Sequence, residues 1–393
     1  MKKAVFFGAG NIGRGFLGQL LTQSGYEVVF VDVDHELVDR LNAAHGYPLC
    51  LLSDEGEKEI QITNVRAVDG RQVDAVAAEI ADADLLGTSV GAGALKFVAP
   101  TLAAGLRLRW QSGKAAPVDV LLCENLMDAD HYLRGLLRAE FPTEGEKALL
   151  DQRVGLVETS IGRMVPVPSA ETRRGNPLRV CAEPYAELPV DAAAFKGAIP
   201  VIPGLKASTP FLFFVHRKLF IHNMGHAVAS YLGASMGYTW VWEAVRNPYV
   251  LVLTSLAMNQ AARVLAAEHG ADLGVLQEHV RDLLARFGNR GLADTIDRVC
   301  KDPLRKLSPQ DRLVGALGLC RKHALESSWI AVGVAAALRF HTQAGGIDAG
   351  SVLVDHCALA SDAPDHRAIL DLLKIFETTP RPRLLESLAW SVQ

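Results

Sequence analysis

The stretch that decides the fold is Lys2 to Asp32, KKAVFFGAGNIGRGFLGQLLTQSGYEVVFVD. Ala4 to Phe7 are apolar, as the residues of a buried parallel strand are. A helical run from Ile12 to Gln23 follows the glycines, and Val28 to Val31 form a second apolar run. The sequence therefore predicts strand, glycine-rich turn, helix and strand in that order, which is how a parallel α/β domain begins.

The turn contains G-x-G-x-x-G at Gly8, Gly10 and Gly13. The first glycine permits a tight turn, the second lets the backbone approach a pyrophosphate, and the third lets the helix pack against the strand. The free N–H groups at the helix start attract phosphate. Asp32 follows Gly13 by about 19 residues, where a carboxylate accepts hydrogen bonds from an adenosine ribose and repels a 2′-phosphate. A glycine-rich turn without a ligand is the alternative, but it rarely needs all three glycines and the acid.

These features predict a Rossmann-type domain that binds NAD in preference to NADP. The predicted cofactor-binding residues are those of the turn and the acid: Gly8, Ala9, Gly10, Asn11, Ile12, Gly13 and Asp32.

The bulk properties are those of a globular protein with two domains. The chain has 393 residues, of which 49% are hydrophobic and 21% charged. Its net charge of −4 gives no support for a nucleic-acid or membrane-surface partner. The six cysteines are scattered and form no C-x-x-C pair, so we expect buried free thiols in a reducing compartment.

No segment of the sequence is typical of a targeting signal or a membrane span. The apolar run at the start is too short for a signal peptide, and Arg14 interrupts the apolar pattern shortly after it. The apolar stretch from Trp329 to Leu338 has about half the length of a span. We therefore expect a cytoplasmic protein with no membrane partner.

The first half of the chain continues the α/β pattern as far as the prolines. A second glycine-rich loop, Ser89-Val-Gly-Ala-Gly, comes after a predicted strand, and the strand Val118 to Cys123 runs into Glu124 and Asn125. The carboxyl ends of such strands form the edge where ligands bind, although these glycines are also compatible with a simple tight loop. Eight of the 18 prolines lie between residues 165 and 210, where we expect short strands and loops.

The second half is predicted to be helical. From Phe211 onward prolines are sparse and apolar residues recur at helical spacing. The predicted helices are 211–233, 239–269, 273–287, 309–340, 365–376 and 382–390. The sequence thus predicts a Rossmann-type α/β domain over residues 1–205 and a mostly α-helical domain over residues 206–393.

The segment from Phe211 to His226 concentrates polar groups in an apolar setting. On an ideal α-helix, Lys218, His226 and Asn223 fall near about 0°, 80° and 140°. Loss of solvation would lower the pKa of Lys218 towards the range of a general base, and Asn223 can donate to an oxyanion. The alternatives are a snorkelling surface lysine and a hydrogen-bonded interior histidine. His222 and His226 are four residues apart, a spacing at which two histidines can bind one metal ion. No third ligand lies at suitable spacing in the sequence, so no metal is predicted.

The residues resemble a known family, the polyol-specific long-chain dehydrogenases. The motifs that carry the resemblance are GAGNIGRGF from Gly8, CENLMDA from Cys123, and KLFIHNMGH from Lys218, which contains Lys-x4-Asn-x2-His. They are most similar to those of members that act on mannitol 1-phosphate. The resemblance covers essentially the whole chain.

The resemblance implies metal-independent, NAD-dependent interconversion of mannitol 1-phosphate and fructose 6-phosphate. It implies that Lys218 is the general acid and base, that Asn223 and Asn125 form an oxyanion hole, and that His226 orients the substrate or the asparagine. The alternatives are a sister enzyme acting on a free polyol or a sugar acid, and a non-catalytic dinucleotide-sensing module. A monomer is the default expectation.

A sugar phosphate needs a cationic pocket. The candidate cations in the sequence are Arg163, Arg173, Arg174, Arg217, Arg305, Lys306, Arg312, Arg321 and Lys322. Arg312 is favoured because Leu307-Ser308-Pro309 is similar to a substrate-contacting stretch of the family. Ser308 is expected to cap a helix that has Pro309 at its first position, and this helix would present Arg312.

Overall fold

The computed structural model describes residues 1–114, 116–343 and 345–392. The chain divides into two compact units, Met1–Phe211 and Leu212–Gln393. The boundary expected between residues 205 and 206 falls inside a strand of the first unit, Leu205–Ser208.

The strands of the first unit form one large sheet and two small ones. Over the described residues they are β1 (Lys2–Phe7), β2 (Tyr26–Asp32), β3 (Gly46–Ser53), β4 (Gly56–Thr63), β5 (Val65–Asp69), β6 (Leu85–Thr88), β7 (Val118–Leu122), β8 (Val154–Glu158), β9 (Val180–Ala182), β10 (Leu188–Asp191) and β11 (Leu205–Ser208). The large sheet has the order β5-β2-β1-β6-β7-β8, and all its pairs are parallel. This is the strand order of the dinucleotide-binding fold, so the predicted Rossmann domain is confirmed.

Helices cover both faces of the large sheet. The first helix has a π turn at Gly13–Leu17 that continues into α1 (Gly18–Gln23). The others are α2 (His35–Ala44), α3 (Val73–Asp82), α4 (Leu95–Gln111), α5 (Ala129–Glu140) and α6 (Glu144–Arg153). The short α7 (Ala170–Arg173) contacts β9 of the three-stranded sheet instead. Alternate residues of β1 enter two different cores, Ala4 and Phe6 one and Val5 and Phe7 the other. A strand buried on both sides is therefore apolar throughout.

The proline-rich region, residues 165 to 210, belongs to the first unit. It consists mainly of short strands and loops, as predicted. β3 pairs antiparallel with β4 and parallel with β9, and β10 pairs parallel with β11. The three-stranded sheet packs against the start of the first helix through Val180, which lies beside Gly15.

The second unit is helical, as predicted. Its helices are α8 (Leu212–His216), α9 (Met224–Met236), α10 (Val241–Arg246), α11 (Pro248–His269), α12 (Leu273–Phe287), α13 (Ile296–Val299), α14 (Pro303–Lys306), α15 (Val314–Lys322), α16 (Ser328–Thr342), α17 (Ala349–Ser351), α18 (Pro364–Thr378) and α19 (Arg381–Ser391). A π turn, Arg217–Asn223, joins α8 to α9.

Two of the predicted helices are interrupted. The run 239–269 breaks at Asn247, whose side chain accepts hydrogen bonds from the N–H groups of Tyr249 and Val250 while Pro248 takes the first helical position. The run 309–340 is wrong as one helix, because α15 ends at Lys322 and α16 begins at Ser328. Ala324 between them has a left-handed backbone with φ of 52°, which a helix cannot contain.

One helix in the described chain is long and apolar enough to cross a membrane by length and composition, α11. The sequence pattern did not single it out. Val250, Leu253, Ala257 and Ala261 on this helix are buried within the protein, which is how the core helix of a helical domain packs.

Candidate active site

Each of the three glycines in the turn after β1 has a different physical reason. Gly8 has φ of 97°, a left-handed conformation that favours glycine. A Cβ on Gly13 would lie 2.1 Å from the carbonyl oxygen of Gly8, so only glycine lets the helix pack this closely. Gly10 is exposed, and a Cβ there would meet nothing within 4 Å. Folding therefore does not require the second glycine, which leaves close approach of a ligand as its physical reason.

A pair of opposite charges holds the Ala9 peptide at the centre of the turn. The N–H of Ala9 donates to Oδ2 of Asp32 at 2.7 Å, and Nε of the buried Arg14 donates to the Ala9 carbonyl at 2.6 Å. Nη1 of Arg14 also donates to the Leu178 carbonyl at 2.7 Å. The sequence singled out Asp32 but not Arg14, because a guanidinium that bonds only carbonyl groups has no recognisable spacing.

Asp32 retains capacity for a ligand. Its Oδ1 accepts from the N–H of Asp34 at 3.1 Å, and the residue is half-buried at the end of β2. A carboxylate has about four acceptor positions, of which two are used here. The negative charge predicted beside the glycine turn therefore lies at the turn itself.

Glu124 and Asn125 lie at the carboxyl edge of the sheet, after β7. The buried Glu124 accepts from the N–H groups of Val90 and Gly91 at 3.0 and 2.6 Å, so it fixes the second glycine-rich loop. Asn125 is exposed beside it. An open cleft next to these residues is lined by Ala92, Gly93, Leu126, Met127, Asp128, His131 and Tyr132. The sequence singled out Asn125 but gave Glu124 no role.

The helix that carries Lys218, Asn223 and His226 is not a regular α-helix. Residues Arg217–Asn223 form a π turn, in which the N–H of Met224 donates to the carbonyl of Leu219. The angles calculated for an α-helix therefore do not apply there. A π turn bonds residues five apart, which is the spacing of Lys218 and Asn223, and such turns are frequent at functional sites. Lys218, Asn223 and His226 are each half-buried rather than buried.

His226 is held by a charged network that the sequence did not reveal. Its Nε2 lies 3.1 Å from Oδ2 of Asp294, and its ring stacks on Phe287 with centroids 4.9 Å apart. Arg298 donates to both oxygens of Asp294 at 2.6 Å. Burial alone would raise the pKa of Asp294, but the hydrogen bonds from His226 and Arg298 hold that pKa well below its usual range. Asp294 is therefore ionised at neutral pH and fixes the orientation of the imidazole.

His222 belongs to the interior. It is buried, and desolvation together with the charge of Arg286 lowers its pKa well below the ordinary value. Its ring lies 6.5 Å from that of His226, centroid to centroid. Within residues 1–114, 116–343 and 345–392, no group of three or more His, Cys, Asp or Glu side chains is arranged to hold a metal ion.

Several candidate phosphate ligands have structural partners instead. Arg163 is buried and donates to the Glu183 carbonyl and the Gln19 side chain at 2.7 and 2.8 Å. Other ion pairs are Arg174 with Glu57, Arg321 with Asp365 and Lys322 with Glu268. The guanidinium of Arg217 lies 4.7 Å from the centroid of the Phe214 ring.

Arg312 lies in a loop rather than at a helix start. The expected cap at Ser308 and the expected helix start at Pro309 are wrong, because α15 begins at Val314. The carbonyl of Ser308 instead accepts from the N–H of Asp311. Asp311 forms ion pairs with Arg312 at 2.7 Å and with Arg305 at 2.9 Å. The position of Arg312 is therefore fixed by this carboxylate, its neighbour in the chain, and not by a helix cap.

Comparison with known proteins assigns both units to one family. The model of the mannitol dehydrogenase Rossmann domain matches residues 2–204, and that of the mannitol dehydrogenase C-terminal domain matches residues 211–373. The chain belongs to the mannitol dehydrogenase family. Among curated relatives of this family, mannitol-1-phosphate 5-dehydrogenase of Brevibacillus brevis is 39% identical over 337 residues, which is 86% of each chain. The protein is thus a dehydrogenase of this type, and the family resemblance seen in its motifs is confirmed.

Two solved structures of polyol dehydrogenases share the fold. The ternary complex of Pseudomonas fluorescens mannitol 2-dehydrogenase with NAD and D-mannitol has a TM-score of 0.77 at 16% identity, covering 99% of this chain and 94% of that one. A substrate-free D-sorbitol dehydrogenase has a TM-score of 0.83 at 17% identity, covering 97% and 94%. At these identities the likeness shows the fold alone.

Proposed function

We propose that this dehydrogenase interconverts D-mannitol 1-phosphate and D-fructose 6-phosphate with NAD as cofactor. The observation that carries the proposal is the 39% identity with mannitol-1-phosphate 5-dehydrogenase over 86% of both chains. The three motifs quoted from the sequence support it, since they lie in both units.

The glycine turn fits a dinucleotide. Gly10 leaves open space above the turn, and Asp32 has acceptor positions to spare for a ribose hydroxyl. The N–H groups at the start of the first helix are suited to a pyrophosphate. When bound, NAD supplies the hydride acceptor for oxidation, and NADH supplies the donor for reduction. The negative charge of Asp32 opposes a 2′-phosphate, which favours NAD over NADP.

In this proposal Lys218 moves the proton of the reacting hydroxyl. It takes that proton at Nζ during oxidation and returns it during reduction. Asn223, one π turn away, and Asn125 donate amide N–H groups to the developing oxyanion.

His226 orients the substrate. Because an ionised carboxylate only accepts hydrogen bonds, Nε2 of the imidazole carries a proton and donates it to Asp294. Nδ1 then faces the substrate hydroxyl or the amide that the imidazole orients. Arg298 keeps Asp294 ionised and in place, and Phe287 fixes the plane of the ring.

The substrate class is tested by NADH oxidation with fructose 6-phosphate, fructose and a uronate ketose. We expect kcat/KM for fructose 6-phosphate to exceed that for fructose by orders of magnitude. Equal values for the two would transfer the protein to the sister enzymes that act on free polyols.

The catalytic lysine is tested by Lys218→Ala, with Lys206→Ala as a matched control on an exposed lysine of β11. We expect Lys218→Ala to lower kcat by at least about 100-fold, the usual contribution of general acid–base catalysis. NADH binding, followed by fluorescence titration, should remain within about twofold of wild type. Turnover at the wild-type rate would remove Lys218 from the mechanism, and absence of turnover in the wild type itself would favour a non-catalytic sensing module.

A further inference from the structure

The π turn that carries Lys218 begins directly after one member of a hydrogen-bonded pair of histidines. Nδ1 of His216, the last residue of α8, lies 2.9 Å from Nε2 of His269, the last residue of α11. Both residues are half-buried. Since α11 is the long core helix of the second unit, this contact ties the start of the π turn to a rigid element.

Aromatic rings connect the histidine pair to the π turn. The His269 ring packs edge-on against Phe213 with centroids 5.6 Å apart, and the His216 ring lies 5.2 Å from that of Phe220 inside the turn. Phe220 is buried, and a Cβ on Gly315 of α15 would lie 3.0 Å from its ring. The rings are therefore closely packed, and a displacement of the pair moves the turn with it.

A π turn needs support from outside its own helix, because the α-helix is the ordinary form of such a sequence. In an α-helix, residues five apart point about 140° away from each other, whereas in a π turn they are one turn apart. Lys218 and Asn223 therefore share a side of the helix only while the π turn persists. Asp294 fixes the segment after the turn through His226, and the histidine pair fixes the segment before it.

The surroundings of the pair disfavour positive charge. Desolvation and the neighbouring imidazole lower the pKa of His216, and desolvation lowers that of His269. Glu268 on α11 opposes both shifts, while Lys322 on α15 reinforces them. Glu268 is itself paired with Lys322 and His323 at 2.8 and 2.5 Å. The two imidazoles are therefore neutral at neutral pH, where one ring nitrogen donates and the other accepts.

We propose that His216 and His269 are positioning residues for the reaction, and that their hydrogen bond maintains the π turn that brings Lys218 and Asn223 together. The bond persists while one of the two facing nitrogens lacks a proton. It breaks when both carry protons, because two donors then face each other. The turn can then relax into an α-helix, which separates Lys218 from Asn223. This inference rests on the proposed function for the role of Lys218.

Variants of His269 test the hydrogen bond through kcat for reduction of fructose 6-phosphate. His269→Phe keeps an aromatic ring beside Phe213 but cannot bond His216, and it should lower kcat by about 10- to 100-fold with NADH binding within about twofold. In His269→Gln the amide can replace Nε2, so kcat should return to within about threefold of wild type. The matched control is His341→Phe on α16, with kcat unchanged. Wild-type kcat in His269→Phe, or an equal loss in both His269 variants, would overturn the inference.

The pH profile distinguishes a hydrogen-bonding role from simple packing. The second protonation of the wild-type pair lies below the ordinary histidine pKa of 6.5, so kcat should fall on acidification in that range. In His269→Gln the amide oxygen still accepts from a protonated His216, so this acid loss should be at least about threefold smaller. An equal acid loss in wild type and His269→Gln would overturn the role of the pair.

A crystal structure of His269→Phe tests the turn without any turnover. We expect residues 217–223 to form an α-helix, with the N–H of Met224 donating to the carbonyl of Phe220 instead of that of Leu219. A π turn retained in this variant would overturn the inference. Wild-type turnover by Lys218→Ala would instead refute the proposed function, while the crystal structure would still decide whether the histidine pair maintains the turn.

Discussion

Replacement of Lys306 by Met should stabilise the second unit. The pKa of Lys306 falls from 10.5 to about 8 in the folded protein. Since each pKa unit corresponds to about 1.4 kcal/mol, the folded state bears a cost of about 3 kcal/mol at pH 7. Met has a similar length and no charge, so its burial removes this cost without leaving a cavity.

The dependence on pH identifies the cause. Below pH about 8 the lysine is charged in both folded and unfolded states, and the full cost is present. Between pH about 8 and 10.5 the folded lysine has lost its proton while the unfolded one retains it, so wild-type stability rises with pH. The advantage of Lys306→Met should therefore be largest at neutral pH and shrink as pH approaches 10.5.

Urea unfolding, followed by tryptophan fluorescence at several pH values, measures the difference in the free energy of unfolding between the two proteins. Four of the five tryptophans (Trp240, Trp242, Trp329 and Trp390) lie in the second unit, so the signal reports mainly on it. A gain of about 3 kcal/mol should raise Tm by about 6–12 °C for a unit of this size. Lys301→Met should change the free energy of unfolding by less than about 0.5 kcal/mol. A Lys306→Met protein that is less stable than wild type at pH 7, or whose advantage does not vary with pH, would refute the reasoning.

Two further predictions concern the glycine turn and the contacts of His226. Gly13→Ala should lower Tm, because its Cβ would lie 2.1 Å from the Gly8 carbonyl oxygen. The Cβ of Gly10→Ala would meet no atom within 4 Å, so this variant should keep the wild-type Tm. It should nevertheless weaken NADH binding by at least about tenfold. Melting curves and NADH titrations separate the two effects, and full NADH affinity in Gly10→Ala would argue against close approach of the dinucleotide. Asp294→Asn should lower kcat by about 10- to 100-fold through misorientation of His226, with NADH binding unchanged. It should also weaken the loss of stability below pH about 4, since a carboxylate whose pKa is depressed stabilises the fold above its unfolded pKa and loses this effect on acidification.

The parts of the fold that could be predicted are those whose signals are local. The glycine turn, β1 and β2 follow from apolar runs and turn residues within about 30 residues. The capping box of α6, Thr143 with Glu146, is visible in the sequence, although the helix was not predicted. The break at Asn247-Pro248 has the same kind of local signal.

Other elements give no local signal because their residues are explained by distant partners. β5 was not predicted, since Arg66 interrupts its apolar pattern; its guanidinium bonds Glu27 on β2 and Glu79 on α3. α4 contains Pro100, which argues against a helix in isolation. The π turn at Arg217–Asn223 has the composition of an α-helix, so only the backbone hydrogen bonds of the folded protein distinguish the two.

The same difference between local and distant signals applies to the residues of the candidate site. Residues that would touch cofactor or substrate occur in short motifs, because a ligand needs several groups at one place on the chain. Residues that position them do not: Asp294 lies 68 positions after His226, and Arg14 reaches Leu178 across 164 positions. In the sequence, Arg305, Lys306 and Arg312 are one cluster of cations among several. The folded structure distinguishes these three residues from one another. Arg305 and Arg312 share the carboxylate of Asp311, whereas Lys306 has no hydrogen-bond or ion-pair partner in the described chain. The cost of burying the Lys306 charge comes from side chains that the fold brings around it, so no local sequence pattern shows it.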